Sequence, residues 1–177
     1  MERTKQCTLC KQEKPLSKFS KHKLSKDGHS YWCKECNRRR SKAFRQSPSG
    51  IYTLIKGRNT FRRNHPNQFQ LPKPVNITRE EFIAWYNSQE KICHYCGLTE
   101  KEAKKYITFC SGRFGRLTID CKDNDLGYTV GNLVLACYKC NITKNDMLTH
   151  DEMMYVGQNF IKPKWNRVRG SKESANK

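Results

Sequence analysis

Four cysteine pairs carry the clearest chemistry in this sequence. Each pair has the spacing C-x2-C, and the eight residues are Cys7, Cys10, Cys33, Cys36, Cys93, Cys96, Cys137 and Cys140. One C-x2-C turn points two thiolates at one ion, so tetrahedral zinc needs two such turns. Grouped by proximity, the pairs predict two structural Zn²⁺ sites that stabilise the fold, because a closed four-thiolate site has no open position for substrate. Redox-active pairs are the poorer alternative.

A second set of polar residues lies between Leu117 and Lys144. LTID alternates as a strand ending on Asp120, KDNDLGYTVGN is a polar loop, LVLA is a second strand, and KCNITKND opens a helix containing Asn141. This order could bring Asp120 and Asn141 to one point, where carboxylate and amide oxygens suit Mg²⁺ or Mn²⁺ with open water positions. The alternatives are a loop-capping role for Asp120 and a helix-start role for Asn141.

Positive charge dominates the chain. The 35 Lys and Arg outnumber 16 Asp and Glu, giving a formal net charge of +19, and most of the excess lies in residues 1–70. In CNRRRSKAFR and KGRNTFRRNH the basic residues alternate with aromatic and amide side chains, so ion pairing along a helix does not explain them. We therefore expect a nucleic-acid partner. The predicted contact residues are Arg38, Arg39, Arg40, Lys42, Arg62 and Arg63.

Two capping boxes predict helices on either side of the main cysteine site: Thr78 with Glu81, and Thr149 with Glu152. The apolar face after the first box comprises Phe82, Ile83, Trp85 and Tyr86. The face after the second comprises Met153, Val156, Phe160 and Ile161. Pro163 is predicted to end the second helix.

The chain of 177 residues with 36% hydrophobic composition favours small modules over one large core. We predict a small, zinc-stapled α+β fold in four parts. They are an N-terminal four-cysteine module with a basic DNA-binding segment (1–47), a basic linker with a short helix at most (48–77), a domain with the second cysteine site and a flanking helix on each side (78–165), and a disordered tail (166–177).

Compartment is inferred from what the sequence lacks. No apolar run is long enough for a membrane span, and the first twenty residues have no signal-peptide apolar region. We therefore predict a reducing, cytoplasmic location and no membrane partner, and in such a chain ten cysteines favour metal binding over disulfides. Cys110 and Cys121 are left outside the two predicted sites.

The run CHYCG followed by LTIDCKDNDLGYTVGNLVLACYKCNITKND resembles the zinc-bound form of the HNH, or ββα-metal, endonucleases of phage and restriction type. The resemblance covers residues 78–165 firmly and the N-terminal cysteine module more loosely. It implies a ββα-metal core, one catalytic Mg²⁺ held by Asp120 and Asn141, and structural zinc on the last four paired cysteines. It also implies that Asn132 pins the loop between the strands.

The sequence departs from this family at Cys121, where the family most often has a histidine general base and one restriction branch has Arg. A thiol of ordinary pKa is mostly protonated at neutral pH, so Cys121 could act as a base only if positive charge from Lys122 or metal lowered its pKa. Tyr95 and His94 in CHYC are the other candidates. Tyr95 could instead simply pack over the cysteine turn.

Two functional classes follow. The first is a Mg²⁺-dependent HNH DNA endonuclease of restriction, homing or phage type, and the second is a zinc-dependent DNA-binding protein that kept the fold and lost catalysis. Two oxygen ligands aimed at one point favour the enzyme. RNA is not excluded as a substrate, and a homodimer is possible for cutting both strands of a palindrome.

Overall fold

The computed structural model describes residues 3–65, 72–107 and 116–174. Cys110 lies outside the described residues. The chain forms two compact units, Met1–Ser47 and Pro48–Lys177.

The first unit is built from two short antiparallel hairpins and one helix. Its elements are β1 (Thr4–Gln6), β2 (Glu13–Pro15), β3 (Phe19–Lys21), β4 (His29–Cys33) and α1 (Lys34–Gln46). The buried cluster consists of one aromatic residue, Phe19, and three cysteines, Cys7, Cys33 and Cys36. An apolar core this small cannot offset the entropy of ordering the unit, so the cysteines must contribute by another means.

The second unit is mainly helical around one hairpin. Its elements are α2 (Pro48–Asn64), α3 (Arg79–Ser88), α4 (Glu100–Tyr106), β5 (Thr118–Cys121), β6 (Leu133–Ala136), α5 (Tyr138–Lys144), α6 (His150–Val156) and α7 (Lys162–Ser174). The β5–β6 pair is antiparallel, with Asp120 opposite Val134 and Cys121 opposite Leu133. The predicted order of strand, loop, strand and helix is therefore confirmed, within a small α+β fold that carries two four-cysteine clusters.

The predicted linker is wrong over residues 48–64, because these residues form the long helix α2. Its buried stripe is Ile51, Ile55 and Asn59, which recur at every fourth residue as helical packing requires. Asn59 also accepts a hydrogen bond from the backbone N–H of Lys73 at 3.1 Å. The glycines and polar residues of this stretch obscured the helical periodicity, and packing of α2 against α3 and the core of the second unit stabilises the helix.

The predicted end at Pro163 and the disordered tail are also wrong for residues up to Ser174. A π-helical segment, Gly157–Ile161, joins α6 to α7 without a break, and Pro163 follows directly after it, where the wider turn accommodates the proline ring and its missing N–H. The wider π turn changes the phase of the helix, which leaves Phe160 64% exposed instead of on the apolar face. Trp165 is buried and holds α7 to the core.

Both predicted capping boxes are present, and a third, unpredicted one begins α4 at Thr99 with Glu102. Glu102 also accepts hydrogen bonds from Nε and Nη2 of Arg169 in α7, at 2.6 and 2.9 Å. The Arg169 guanidinium holds the pKa of Glu102 at about 2, well below its ordinary value. The carboxylate is therefore fully ionised at neutral pH and ties two distant helices together.

Replacing Arg169 with Ala should lower the free energy of unfolding by about 1 kcal/mol at pH 7, because a bidentate, partly buried ion pair contributes more to stability than an ordinary surface ion pair does. The depressed pKa of Glu102 means that this contribution is present above the ordinary carboxylate range and is lost only as pH falls towards 2. Urea unfolding monitored by circular dichroism measures it. Arg167→Ala, at an exposed position on the same helix, is the control and should change stability little; equal losses would show that the pair contributes nothing.

Within residues 3–65, 72–107 and 116–174, no helix combines the length and apolar character needed to cross a bilayer.

Candidate active site and metal centres

Two clusters bring the paired cysteines together as the sequence grouped them. The first contains Cys7, Cys10, Cys33 and Cys36, and the second contains Cys93, Cys96, Cys137 and Cys140. In each cluster the four sulfur atoms lie within 4.8 Å of one another, and all but the half-buried Cys10 are buried. Four soft donors at this separation fit a tetrahedral zinc ion.

In both clusters backbone N–H groups donate hydrogen bonds to cysteine sulfur atoms and so stabilise the thiolate form. The backbone N–H of Cys33 donates to Sγ of Cys7 at 3.3 Å, and that of Cys140 donates to Sγ of Cys137 at 3.5 Å. Although burial raises it, backbone N–H groups including that of Cys33 lower the pKa of Cys7 to about 6. In the second cluster hydrogen bonds from neighbouring thiols, with Cys137 first, lower the pKa of Cys93, while that of Cys140 is raised. A cation is needed before all four can ionise together.

Asp120, on β5, lies between two buried polar side chains, Tyr95 and Lys144. Its side chain is 4% exposed, its Oδ2 accepts a hydrogen bond from the Tyr95 hydroxyl at 2.6 Å, and Nζ of Lys144 lies 3.7 Å from the same oxygen. Lys144 is fully buried and also donates to the carbonyl of Cys121 at 2.9 Å. The carboxylate is thus neutralised and oriented from two sides, by the cysteine turn and by α5.

Tyr95 is fully buried, and its pKa is raised, chiefly by burial and then by its hydrogen bond to Asp120. The phenol is therefore a hydrogen-bond donor to Asp120 and not a base at neutral pH. Its backbone is held closely as well: Gln158 donates to its carbonyl at 2.7 Å, and a Cβ on Gly157 would lie 2.5 Å from that oxygen. Tyr95 does pack at the cysteine turn, and it contacts the candidate site from there.

Asn141 faces the same side of the hairpin as Asp120. Its Nδ2 donates to Oγ1 of Thr118 at 2.9 Å, and Thr118 lies two residues before Asp120, so both strand residues point towards α5. The hydrogen bond of Asn141 runs to Thr118 and not to Asp120, while the ammonium of Lys144 lies against the carboxylate.

Asn132 ties the loop between the strands. Its Nδ2 donates to the carbonyls of Asp123 at 2.8 Å and Gly127 at 2.6 Å, and its Oδ1 accepts from the N–H of Asp123 at 3.0 Å. Gly127 has a φ of +63°, and a Cβ there would lie 2.3 Å from the carbonyl oxygen of Pro74. These contacts fix the loop directly after Cys121 and Lys122.

Cys121 is 1% exposed, and burial raises the pKa of its thiol to about 11 despite the opposing charges of Lys73 and Lys144. It therefore stays protonated at neutral pH. As neighbours in a strand, Asp120 and Cys121 point to opposite faces of the hairpin. Cys121 could act as a base only if its pKa were lowered, and burial of the thiol has the opposite effect.

His94 and His150 form a stacked pair beside Tyr95. Their ring centroids lie 5.2 Å apart, and the His150 ring lies 5.8 Å from that of Tyr95. Burial is the main cause that lowers the pKa of both imidazoles, and nearby positive charge that includes Lys122 adds to it. Both rings are therefore neutral near pH 7. The sequence did not single out His150, and α6 carries it to the cysteine turn beside His94 and Tyr95.

The predicted nucleic-acid contacts lie on two helices. Arg38, Arg39 and Lys42 are exposed on α1, and the guanidinium of Arg40 lies 4.3 Å from the centroid of the Trp32 ring. Arg62 is half-buried and Arg63 exposed on α2. The first unit also has a cleft of about 630 Å³ whose basic lining residues are Lys14, Lys18, Lys34 and Arg38. Its one acid, Glu35, is paired with Lys14 at 3.2 Å.

Two side chains in this site were not singled out by sequence reasoning. Lys144 lies three residues after Asn141, a spacing that puts both on one helical face, and this was the available signal. His150 offered no comparable signal, because its distance from Cys93 along the chain is bridged only by the tertiary fold.

No protein-family model and no curated protein matched the chain. Among solved structures, the chain matches one described as the rare-cutting HNH restriction endonuclease PacI, reported for its perturbation of DNA. The TM-score is 0.51 at 22% sequence identity, and the match covers 93% of this chain and 97% of that chain. At this identity the likeness shows the fold, so the chain has an HNH-like fold.

Proposed function

We propose that this chain is a Mg²⁺-dependent DNA endonuclease that hydrolyses phosphodiester bonds. The observation that carries the proposal is the buried Asp120 carboxylate, held by Tyr95 and facing the helix that presents Asn141, on a hairpin stapled by a four-cysteine cluster. Loop capping does not require a buried acid that accepts a hydrogen bond from a buried phenol and lies against a buried ammonium, so this arrangement supports a functional role.

Asp120 and Asn141 are the residues that would hold the ion, because their oxygen donors match what Mg²⁺ or Mn²⁺ prefers. When bound, the ion supplies Lewis-acid stabilisation of the charge on the phosphate and leaving oxygens. Tyr95 keeps Asp120 oriented, and Lys144 offsets its charge. Asn132 holds the following loop in position.

His94 is the proposed general base, because its ring is exposed and its imidazole neutral. It takes a proton from the attacking water at a ring nitrogen. His150 stacks on this ring and acts as a positioning residue. The buried Cys121 thiol and the buried Tyr95 phenol have pKa values too high for this role.

The test is cleavage of supercoiled plasmid with and without Mg²⁺. Wild type should cut only with the ion, and His94→Ala should slow cutting by roughly 10²-fold or more, as expected for loss of a general base. His150→Ala should slow it less, and His150→Phe, which preserves an aromatic ring for stacking, should restore most of the rate.

His22→Ala is the matched control, since His22 lies in the first unit on the exposed surface. Cutting by His94→Ala at the wild-type rate would remove this residue from the proposed role. Cutting by wild type in the presence of a chelator selective for hard cations would contradict the Mg²⁺ requirement itself.

The proposed substrate is DNA, bound through the basic surface of α1 and the cleft beside it in the first unit. A net charge of +19 supports binding along a phosphate backbone. Breaking both strands of a duplex needs two such sites, which a second copy of the chain would supply.

The second candidate is a DNA-binding protein without catalysis. The specific observation in its favour is Lys144, whose buried ammonium lies against Asp120, together with a protonated thiol at the position after the strand acid. Tight DNA binding by a wild-type chain that cuts no plasmid at any Mg²⁺ or Mn²⁺ concentration would establish it.

A further inference from the structure

A basic cleft lies beside the candidate active site, between α2, β5 and α5. Its volume is about 240 Å³, and its polar and charged lining residues include Arg58, Arg116, Thr118, Tyr138, Asn141 and Asn145. At about 30 Å³ per water in the liquid, this space can hold a phosphodiester group with part of its hydration water. Among the described lining residues none is acidic, and much of the remaining lining is aliphatic.

Two guanidinium groups enter this cleft from different elements. Arg58 is exposed on α2, and Arg116 is half-buried before β5, where its Nη1 donates to the carbonyl of Leu117 at 2.8 Å. Burial lowers the pKa of Arg116; Tyr86 and Glu100 oppose this effect, and the like charge of Arg58 adds to it. The nearby acid, Glu100, accepts from Lys104 at 2.9 Å and from the N–H of Leu117 at 3.1 Å, so its charge is shared.

Because both arginines line one cleft, an anion there could accept hydrogen bonds from both and offset their like charges. Arginine presents a planar set of donors that matches phosphate oxygens in pairs. The same cleft is lined by Asn141 and Thr118, which hydrogen-bond each other. Thr118 lies two residues before Asp120 on β5. A phosphate bound by the two arginines thus lies next to the candidate catalytic group.

We propose that Arg58 and Arg116 bind a backbone phosphate of the nucleic-acid substrate, adjacent to the phosphate that is cut. This inference rests on the proposed function and gives α2 a role in positioning the substrate strand. The helix that sequence reasoning took for a linker then supplies both a packing face, through Ile51 and Ile55, and a phosphate ligand.

The test measures binding of a short DNA duplex to the full chain without divalent cations, comparing Arg58→Gln and Arg58→Lys with Lys56→Gln, an exposed control on the same helix. Arg58→Gln should weaken binding roughly tenfold and lower the salt-dependence slope by about one. Arg58→Lys should keep the slope and lose part of the affinity. An equal loss in Lys56→Gln, or no loss in Arg58→Gln, would overturn the proposal.

A scan of duplexes that each carry one uncharged methylphosphonate identifies the phosphate. At one position the substitution should weaken wild-type binding about tenfold and leave Arg58→Gln nearly unaffected, as expected for two partners in one contact. Coupling at no position would overturn the cleft as a phosphate site, whatever the cutting activity. Coupling in a chain that cuts no DNA would support the cleft and remove the nuclease proposal.

Discussion

Stripping the metal from this chain should unfold it, with both units losing their structure in a strong chelator. The first unit buries one aromatic residue and three cysteines, so little remains to hold it once the thiols are unpaired. In small zinc domains the apparent metal-binding free energy is about 10–16 kcal/mol, comparable to the whole stability of a domain. The second unit has a larger apolar core, but its cluster joins the turn at Cys93 to the start of α5.

Single substitutions separate the two clusters. Cys36→Ser should lose one zinc and unfold only Met1–Ser47, whereas Cys140→Ser should lose the other and unfold the second unit. The indole N–H resonances report this directly, because Trp32 lies in the first unit and Trp85 and Trp165 in the second.

Cys121→Ala is the control for the cysteine substitutions, since this buried cysteine belongs to neither cluster. It should keep two zinc ions per chain by metal analysis and a dispersed spectrum. Dispersed resonances from chelated wild type would show that the clusters are not needed for folding.

The parts of the fold that short-range patterns control were predictable. The C-x2-C spacing fixes which thiols can share an ion, and the alternation around Asp120 and the apolar LVLA run predict a hairpin. The capping boxes at Thr78 and Thr149 depend on contacts between residues three apart, so the sequence alone predicts them.

The errors arose where tertiary packing decides. The face of α2 formed by Ile51, Ile55 and Asn59 is interrupted by glycine and polar residues, and these residues form a helix because the face packs against α3 and the core of the second unit. Pro163 is accommodated by a π segment that no local signal announced. For these two reasons, helices form where a linker and a disordered tail were predicted.

The candidate site shows the same division. Asp120 and Asn141 were identified from their positions on a strand end and a helix start, which are local features. The partners of Asp120 were harder to predict, because Tyr95 and Lys144 lie 25 and 24 residues away along the chain. A buried carboxylate requires a cation or donors, but sequence does not say which of 35 basic residues supplies the charge.

Asp120→Asn should reduce the rate of plasmid cleavage by roughly 10³-fold or more, because Asp120 is a proposed ligand of Mg²⁺ and its loss would cost several kcal/mol of transition-state stabilisation. The amide oxygen can still accept the hydrogen bond from Tyr95, so the cysteine turn should remain in place. Binding of duplex DNA without divalent cations should change little, since Asp120 is 4% exposed. Asp125→Asn, in the exposed loop that follows, removes the same charge and should cut normally.

Asp120→Asn alone leaves the Lys144 ammonium buried without a counter-charge, and loss of one partner of a buried ion pair typically costs about 3–5 kcal/mol. Low activity could then come from unfolding. The double variant Asp120→Asn with Lys144→Met removes both charges and should recover much of the stability, by urea unfolding, while remaining inactive. Cys121→Ala should keep its activity, because a thiol protonated up to a pKa of about 11 supplies no base. A stable double variant that cuts at the wild-type rate would exclude Asp120 from catalysis and favour the DNA-binding alternative for this site.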